Sequence, residues 1–477
     1  MPMRSAVLLV VACGFLSCLT CCETTVSNPR ATLANRDLSH RKHTKSIEML
    51  ALESQLDDSD LKLLEGAVWR PGYDRDVRRA ALNLLWRSDA DRTVILLRRQ
   101  LPRIIDWVWL TEVCQWVADR DIVELDPALI SSWGRPRSIL TEEEDRPEYI
   151  ALVRMHGRDD IIELVFDLFL ASNKPSQRGL RQRCWDLLHR LGERDRLIEL
   201  ASGANPNPDD LLLVDLHAAA STYGMVPYNR EEIIWLQKLR EPERAWFWDE
   251  AAKSVDMLPD ARHVGLEMRD LAVVVAAARH REDLLAATDA QLLSQTESSL
   301  RSQRYYSEVS PGTTDTNPDR ERFRTHRHKL TWGDLAAIQL AQEALRYPQV
   351  RSHLFDYADR DHVDESTEYG GIIALDEQGR FEVLEFLPRV RSHDRRFNAP
   401  QTMFDAGYTS LFHFHFHAQR QRNSDHAGPG LGDMNYADNT RANCLVLTFV
   451  DVDHMNVDFY RHDGVIVDLG TISRPTG

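Results

Sequence analysis

Leu411-Phe412-His413-Phe414-His415-Phe416-His417-Ala418 alternates phenylalanine and histidine without a break. Successive side chains of a β-strand point to opposite faces, so Phe412, Phe414 and Phe416 share one face and His413, His415 and His417 the other. One face packs and the other is all imidazole. Residues two apart lie about 6.5–7 Å from each other along a strand, close enough for two neutral imidazoles to converge on one Zn²⁺ at about 2.0–2.1 Å. Three histidines in phase opposite three phenylalanines point to metal binding rather than to a solvent-facing row.

Two imidazoles alone do not make a site, and a carboxylate is expected to complete it. Downstream, Ala427-Gly428-Pro429-Gly430-Leu431-Gly432-Asp433 is a Gly/Pro turn ending in Asp before a helix, which suits a carboxylate held rigidly at a helix start. Upstream, Glu368 stands just ahead of the apolar run Gly370-Gly371-Ile372-Ile373-Ala374-Leu375, where a carboxylate at a strand mouth can face a metal-bound water.

Around this stretch the pattern is of short strands bounded by Gly and Pro from Glu368 onward, preceded by one helix over Trp332–Tyr347. Eleven of the 18 histidines lie at or after His326, so the chemistry is expected in this part. Residues 301–330 read as a linker, marked by Ser310-Pro311-Gly312 and Asn317-Pro318. Before it, 46–300 has helical periodicity: Val77, Ala81, Leu84 and Leu85 form one apolar stripe. Arg75-x-Val77-Arg78 and Leu84-Leu85-x-Arg87 return as Arg178-x-Leu180-Arg181 and Leu187-Leu188-x-Arg190 at a constant offset of 103. Self-similar helical segments signal a stacked all-α solenoid, and these resemble HEAT-type repeats, with the helical region as a protein-binding surface. Its tryptophans, among them Trp109, Trp185 and Trp235, are expected to pack between helices.

The chain has 477 residues, enough for two to four domains at about 100–200 residues each. Its net charge of −16 argues against a nucleic-acid partner, because phosphate binding needs a basic footprint. Residues 1–22 read as an export signal: Arg4, a short apolar run from Ala6 to Leu16, then small residues and cysteines. The segment resembles a bacterial lipoprotein signal, with Leu19-Thr20-Cys21-Cys22 or Phe15-Leu16-Ser17-Cys18 as the acylation box. Residues 23–45 are then a tether. Membrane contact is expected only through that lipid anchor, on the periplasmic side of the cell envelope. Cys114, Cys184 and Cys444 remain in the body and read as buried small apolar residues rather than ligands.

The C-terminal residues 331–477 resemble a JAB/JAMM (MPN-type) zinc metalloprotease domain. The resemblance lies in a Glu before a Gly-containing apolar strand, a His-x-His, and an Asp-ending turn before a helix. It implies an α/β domain with a mixed β-sheet. It gives Glu368 the place of the general base, Gly371 that of the family glycine, and His415, His417 and Asp433 those of the Zn²⁺ ligands. Gly430 stands where the family has the turn Ser, so oxyanion stabilisation falls to Ser424 or to a backbone N–H. His413 with His415 is the alternate register, with His426 or Asp425 nearest the family's Asp. The activity implied is hydrolysis of a peptide or isopeptide bond in a protein or peptide substrate. The alternatives are a non-catalytic helical scaffold carrying an inactive MPN-like module, and three histidines that bind metal for hydration or storage.

Overall fold

The computed structural model describes residues 25–135, 141–203, 206–263, 265–304, 306, 320–391, 393, 396–423 and 426–476. The expected export signal and Ser424 lie outside these. Internal contacts divide the chain into two units, Met1–Ala128 and Leu129–Gly477.

The described part of the first unit is helical. Asp57 caps the helix Asp58–Trp69 and Asp74 the helix Arg75–Ser88, each accepting a backbone N–H left without a partner in the first turn. Val77, Ala81, Leu84 and Leu85 are all buried. Buried Arg78 donates from Nε to the carbonyl of Val68 at 2.9 Å, satisfying an acceptor in the last turn of the preceding helix. The second unit builds the same device from the helices Ile161–Ala171 and Arg178–Arg190. There Arg181, 103 residues after Arg78, donates from Nε to Phe169 at 3.1 Å. The sequence repeat is thus a repeated helix pair with its own arginine clasp. Trp109, Trp116, Trp185, Trp235 and Trp248 are buried, as inter-helix packing requires, whereas Trp107 and Trp246 are exposed.

The second unit continues into a six-stranded mixed sheet. Its strands are β1 (Gly370–Leu375), β2 (Phe381–Phe386), β3 (Phe412–His417), β4 (Cys444–Asp451), β5 (His454–Arg461) and β6 (Val465–Ser473), in spatial order β2-β1-β3-β4-β5-β6. Only the β3–β4 pair is parallel; the helix Leu431–Thr440 provides its crossover. β3 is an interior strand, and both of its faces are buried, because helices cover the sheet on each side of it. Phe414 and Phe416 meet Tyr357 of the helix Pro348–Val363 edge-on, at ring separations of 6.4 and 5.6 Å. The opposite face carries the histidines and a cluster formed by Met434, Ala437, Cys444, Val446, Tyr460 and Ile466.

A buried polar network ties the helices of this unit to the sheet. Arg269 donates to Glu267, Asp334 and Asn443, each at 2.7 Å. Arg461 donates to Asp334, Arg441 to Glu267, and His462 Nε2 lies 2.8 Å from Glu267. Asn443 in turn accepts the N–H of His413 at 2.9 Å, so the network ends where β3 begins. Of residues 301–330, the short helix Phe323–His326 packs against β6. Cys114, Cys184 and Cys444 are free and buried. Among the described residues no helix is long and apolar enough to cross a membrane.

Candidate metal centre

The parallel register places His415 beside Val446 and His417 beside Thr448, under the helix Leu431–Thr440. Asp433 is the third residue of that helix, and its Oδ2 accepts the Gly430 N–H at 2.8 Å. The turn therefore fixes the carboxylate by a bond to the backbone before any ligand is present. His415 Nε2 lies 3.3 Å from His417 Nε2 and 3.3 Å from Asp433 Oδ1, while His417 Nε2 lies 3.7 Å from Asp433 Oδ2. Ligands about 2.0–2.1 Å from a tetrahedral zinc are about 3.3–3.4 Å apart, so this spacing fits such an ion. Among the described residues, these three make the group of ligand-type side chains able to hold a metal.

Neighbouring groups orient these side chains. His417 Nδ1 lies 2.5 Å from the backbone carbonyl of His426. Donation there leaves the Nε2 lone pair directed at the site, as metal-binding histidines require. His415 Nδ1 faces the Tyr460 hydroxyl at 3.5 Å. Glu368 is buried at the mouth of β1, and its Oε1 accepts from Gln419 Nε2 at 3.0 Å. Asn423 holds Gln419 at 2.7 Å and the His417 carbonyl at 3.1 Å, which ties the carboxylate to the ligand strand.

The electrostatics favour a cation. Burial drives the His415 imidazole down, yet the Asp433 and Glu368 carboxylates outweigh it and hold the group above its ordinary value. For His417, burial and the neighbouring His415 prevail and push it down to about 4, so it is a neutral donor near pH 7. Burial opposes ionisation of Asp433, but the two imidazoles and the Gly430 N–H keep it well below the usual carboxylate range. A positive charge is therefore favoured among these three atoms, whether it is a proton on His415 or a metal ion. Asp433 keeps 24% of its side-chain surface, against 10% and 11% for His415 and His417, so the opening is on the aspartate side. A cleft of about 590 Å³ begins there, with Glu368, His415 and Asp433 in its wall.

His413 takes no part in this convergence. Its Nδ1 lies 2.8 Å from the Tyr436 hydroxyl, and its Nε2 packs so closely on Gly407 that an added Cβ would stand 2.5 Å from it. Burial alone pushes it down to about 4. Gly428 has a φ of +71°, and a Cβ there would meet Glu321 at 2.2 Å, so the turn into the Asp433 helix needs glycine on both counts. The structure brings together Glu368, His415, His417 and Asp433. Gly430 offers no hydroxyl, and its N–H is already given to Asp433.

Sequence reasoning missed Gln419, Asn423 and the His426 carbonyl. Their only sequence signal is position, just after the last histidine. It also missed the extension of the histidine face, through Thr448, into buried Asn456, Asp458 and Asp468. No protein-family model, no curated protein and no solved structure matches the chain.

Proposed function

We propose that the chain is an exported, lipid-anchored zinc metallopeptidase-like hydrolase of JAB/JAMM type. It would cut a peptide or isopeptide bond, with the HEAT-like helical region binding protein. The observation that carries the reading is the approach of His415 Nε2, His417 Nε2 and the Asp433 carboxylate to within 3.3–3.7 Å of one another beside an open cleft. Three protein ligands with a fourth position facing a cleft suit catalytic rather than structural zinc. Support for the family comes from the order helix, β1, β2, the short helix Gln401–Gly407, β3, helix, β4, with Glu368 before β1 and Asp433 in the first turn after the loop.

Bound there, zinc would supply a water that ionises near neutrality and a positive charge to polarise the scissile carbonyl. Glu368 is the base that takes the proton and returns it to the leaving amine nitrogen. Gln419 holds that carboxylate in place through its Oε1. Asp433 and the two histidines keep the reacting centre against the sheet, while the buried strands exclude bulk water from behind it. The absent turn hydroxyl predicts slow turnover, since losing one oxyanion donor costs about 10²–10³ in rate.

The test is zinc content and hydrolysis together, with fluorescent casein and an isopeptide-linked lysine peptide as substrates. One zinc per chain, with cleavage lost in Glu368→Gln at full zinc occupancy, is the expected result. Absence of zinc from protein purified without chelators overturns the reading. Zinc without any Glu368-dependent cleavage would leave the non-catalytic scaffold reading.

A further inference from the structure

Three arginines near the cleft-lining residues in the sequence are paired. Arg360 is bonded to Glu385, Arg380 to Asp376, and Arg391 to Asp364. Arg389 and Arg396 differ: both are exposed and both line the metal cleft. Neither guanidinium has an ion pair or a hydrogen bond among the described residues. The Arg389 N–H donates to the Asn398 carbonyl at 2.8 Å, so the two ends of this loop are tied together and both cations are brought to one rim.

The other charges of the cleft are already engaged. Asp433 faces the histidines, and Glu368 is held by Gln419. The remaining wall is neutral, formed by Phe397, Phe404, Tyr436, Asn435 and Asn439. A chain of net charge −16 thus concentrates unmatched positive charge at one cleft, and such a concave site attracts and orients anions. Guanidinium forks match carboxylates in a bidentate geometry that a lysine could not reproduce.

We infer that the cleft takes a substrate carrying a carboxylate close to the bond that is cut, held by Arg389 and Arg396. The carboxylate comes either from an acidic side chain or from the free C-terminus of a peptide. The inference rests on the zinc reading of His415, His417 and Asp433, and its test separates the two.

The zinc-loaded full chain is titrated calorimetrically with three succinyl hydroxamates, which bind zinc through the hydroxamate. They are joined to glutamine amide, to glutamate amide and to glutamine with a free carboxylate. One or both carboxylate probes should bind at least about tenfold tighter than glutamine amide, the effect of a charge-assisted hydrogen bond. Whichever carboxylate gains identifies the side chain or the terminus as the source. The advantage should shrink at high salt, because both guanidiniums are exposed, and should vanish in the Arg389→Gln/Arg396→Gln double variant. Equal binding of all three probes overturns the carboxylate subsite and leaves the zinc reading standing, as does an advantage that survives in the double variant. No binding of any probe overturns both.

Discussion

At the β3 end of the histidine-bearing sheet face, His415 and His417 meet Asp433 beside an open cleft. At the β5–β6 end of that same face, Asn456, Asp458 and Asp468 are equally buried, but the Asn456 amide nitrogen sits between the two carboxylates, 3.1 Å from each. Asp458 Oδ1 and Asp468 Oδ2 have no hydrogen-bond partner there. At the first end, imidazoles hold a carboxylate well below its usual range; at the second, burial and neighbouring carboxylates raise Asp458 far above it. Glu321, packed on Gly428, is also raised by burial, to about 7, and Asp468 to about 6. Polarity and burial therefore do not define a metal centre. Donor atoms brought to one point beside an opening are what mark His415, His417 and Asp433 as the candidate.

The largest effect expected of any change is loss of the metal. Replacing His415 or His417 by Ala should weaken zinc binding by more than the about 10–100-fold typical of outer-shell changes, read by metal analysis against a chelator. His413→Ala should leave it intact, and loss of zinc there would erase the distinction between His413 and its neighbours. Next in size, Glu368→Gln should keep one zinc per chain and lower hydrolysis by about 10²–10⁴, measured under single-turnover conditions.

The carboxylate end should respond in the opposite sense. A carboxyl whose folded pKa is raised adds stability while protonated, and that contribution is lost as pH rises through its folded value. Removing the charge should then help at high pH. Asp458→Asn is expected to raise stability by about 1–3 kcal/mol at pH 8, with the gain gone by pH 4, in thermal melts across that range. A destabilised variant at pH 8 would mean that the ionised form is held by a partner. The smallest effect expected is that of Tyr436→Phe, which takes the hydroxyl from His413 Nδ1. It should cost about 1 kcal/mol in denaturant unfolding and leave zinc stoichiometry unchanged.

The alternation of β3 was legible because a period of two is local, and so was the helical repeat at an offset of 103, whereas the bonds of Arg78 and Arg181 to the preceding helix were not. Asp433 was legible as a carboxylate at a helix start, since the Gly/Pro turn and the cap are neighbours in sequence. His413 could not be separated from His415 and His417 by parity. What sets it apart is Gly407 and Tyr436, brought in from two other helices. Likewise β5 shows Asn456 and Asp458 in phase, but only the pairing of β5 with β6 sets Asp458 opposite Asp468. The Gln419–Asn423 brace, and the lack of partners for the Arg389 and Arg396 guanidiniums among the described residues, depend on tertiary neighbours that no spacing encodes. The division at residue 128 is not marked by any change of composition.

The measurement that reaches furthest is X-ray absorption at the zinc edge of the zinc-loaded chain. Two imidazole nitrogens with oxygen neighbours, all at about 2.0–2.1 Å in a four-coordinate shell, are predicted. A shell with three imidazoles, with sulfur, or with six oxygens would contradict the centre described for His415, His417 and Asp433.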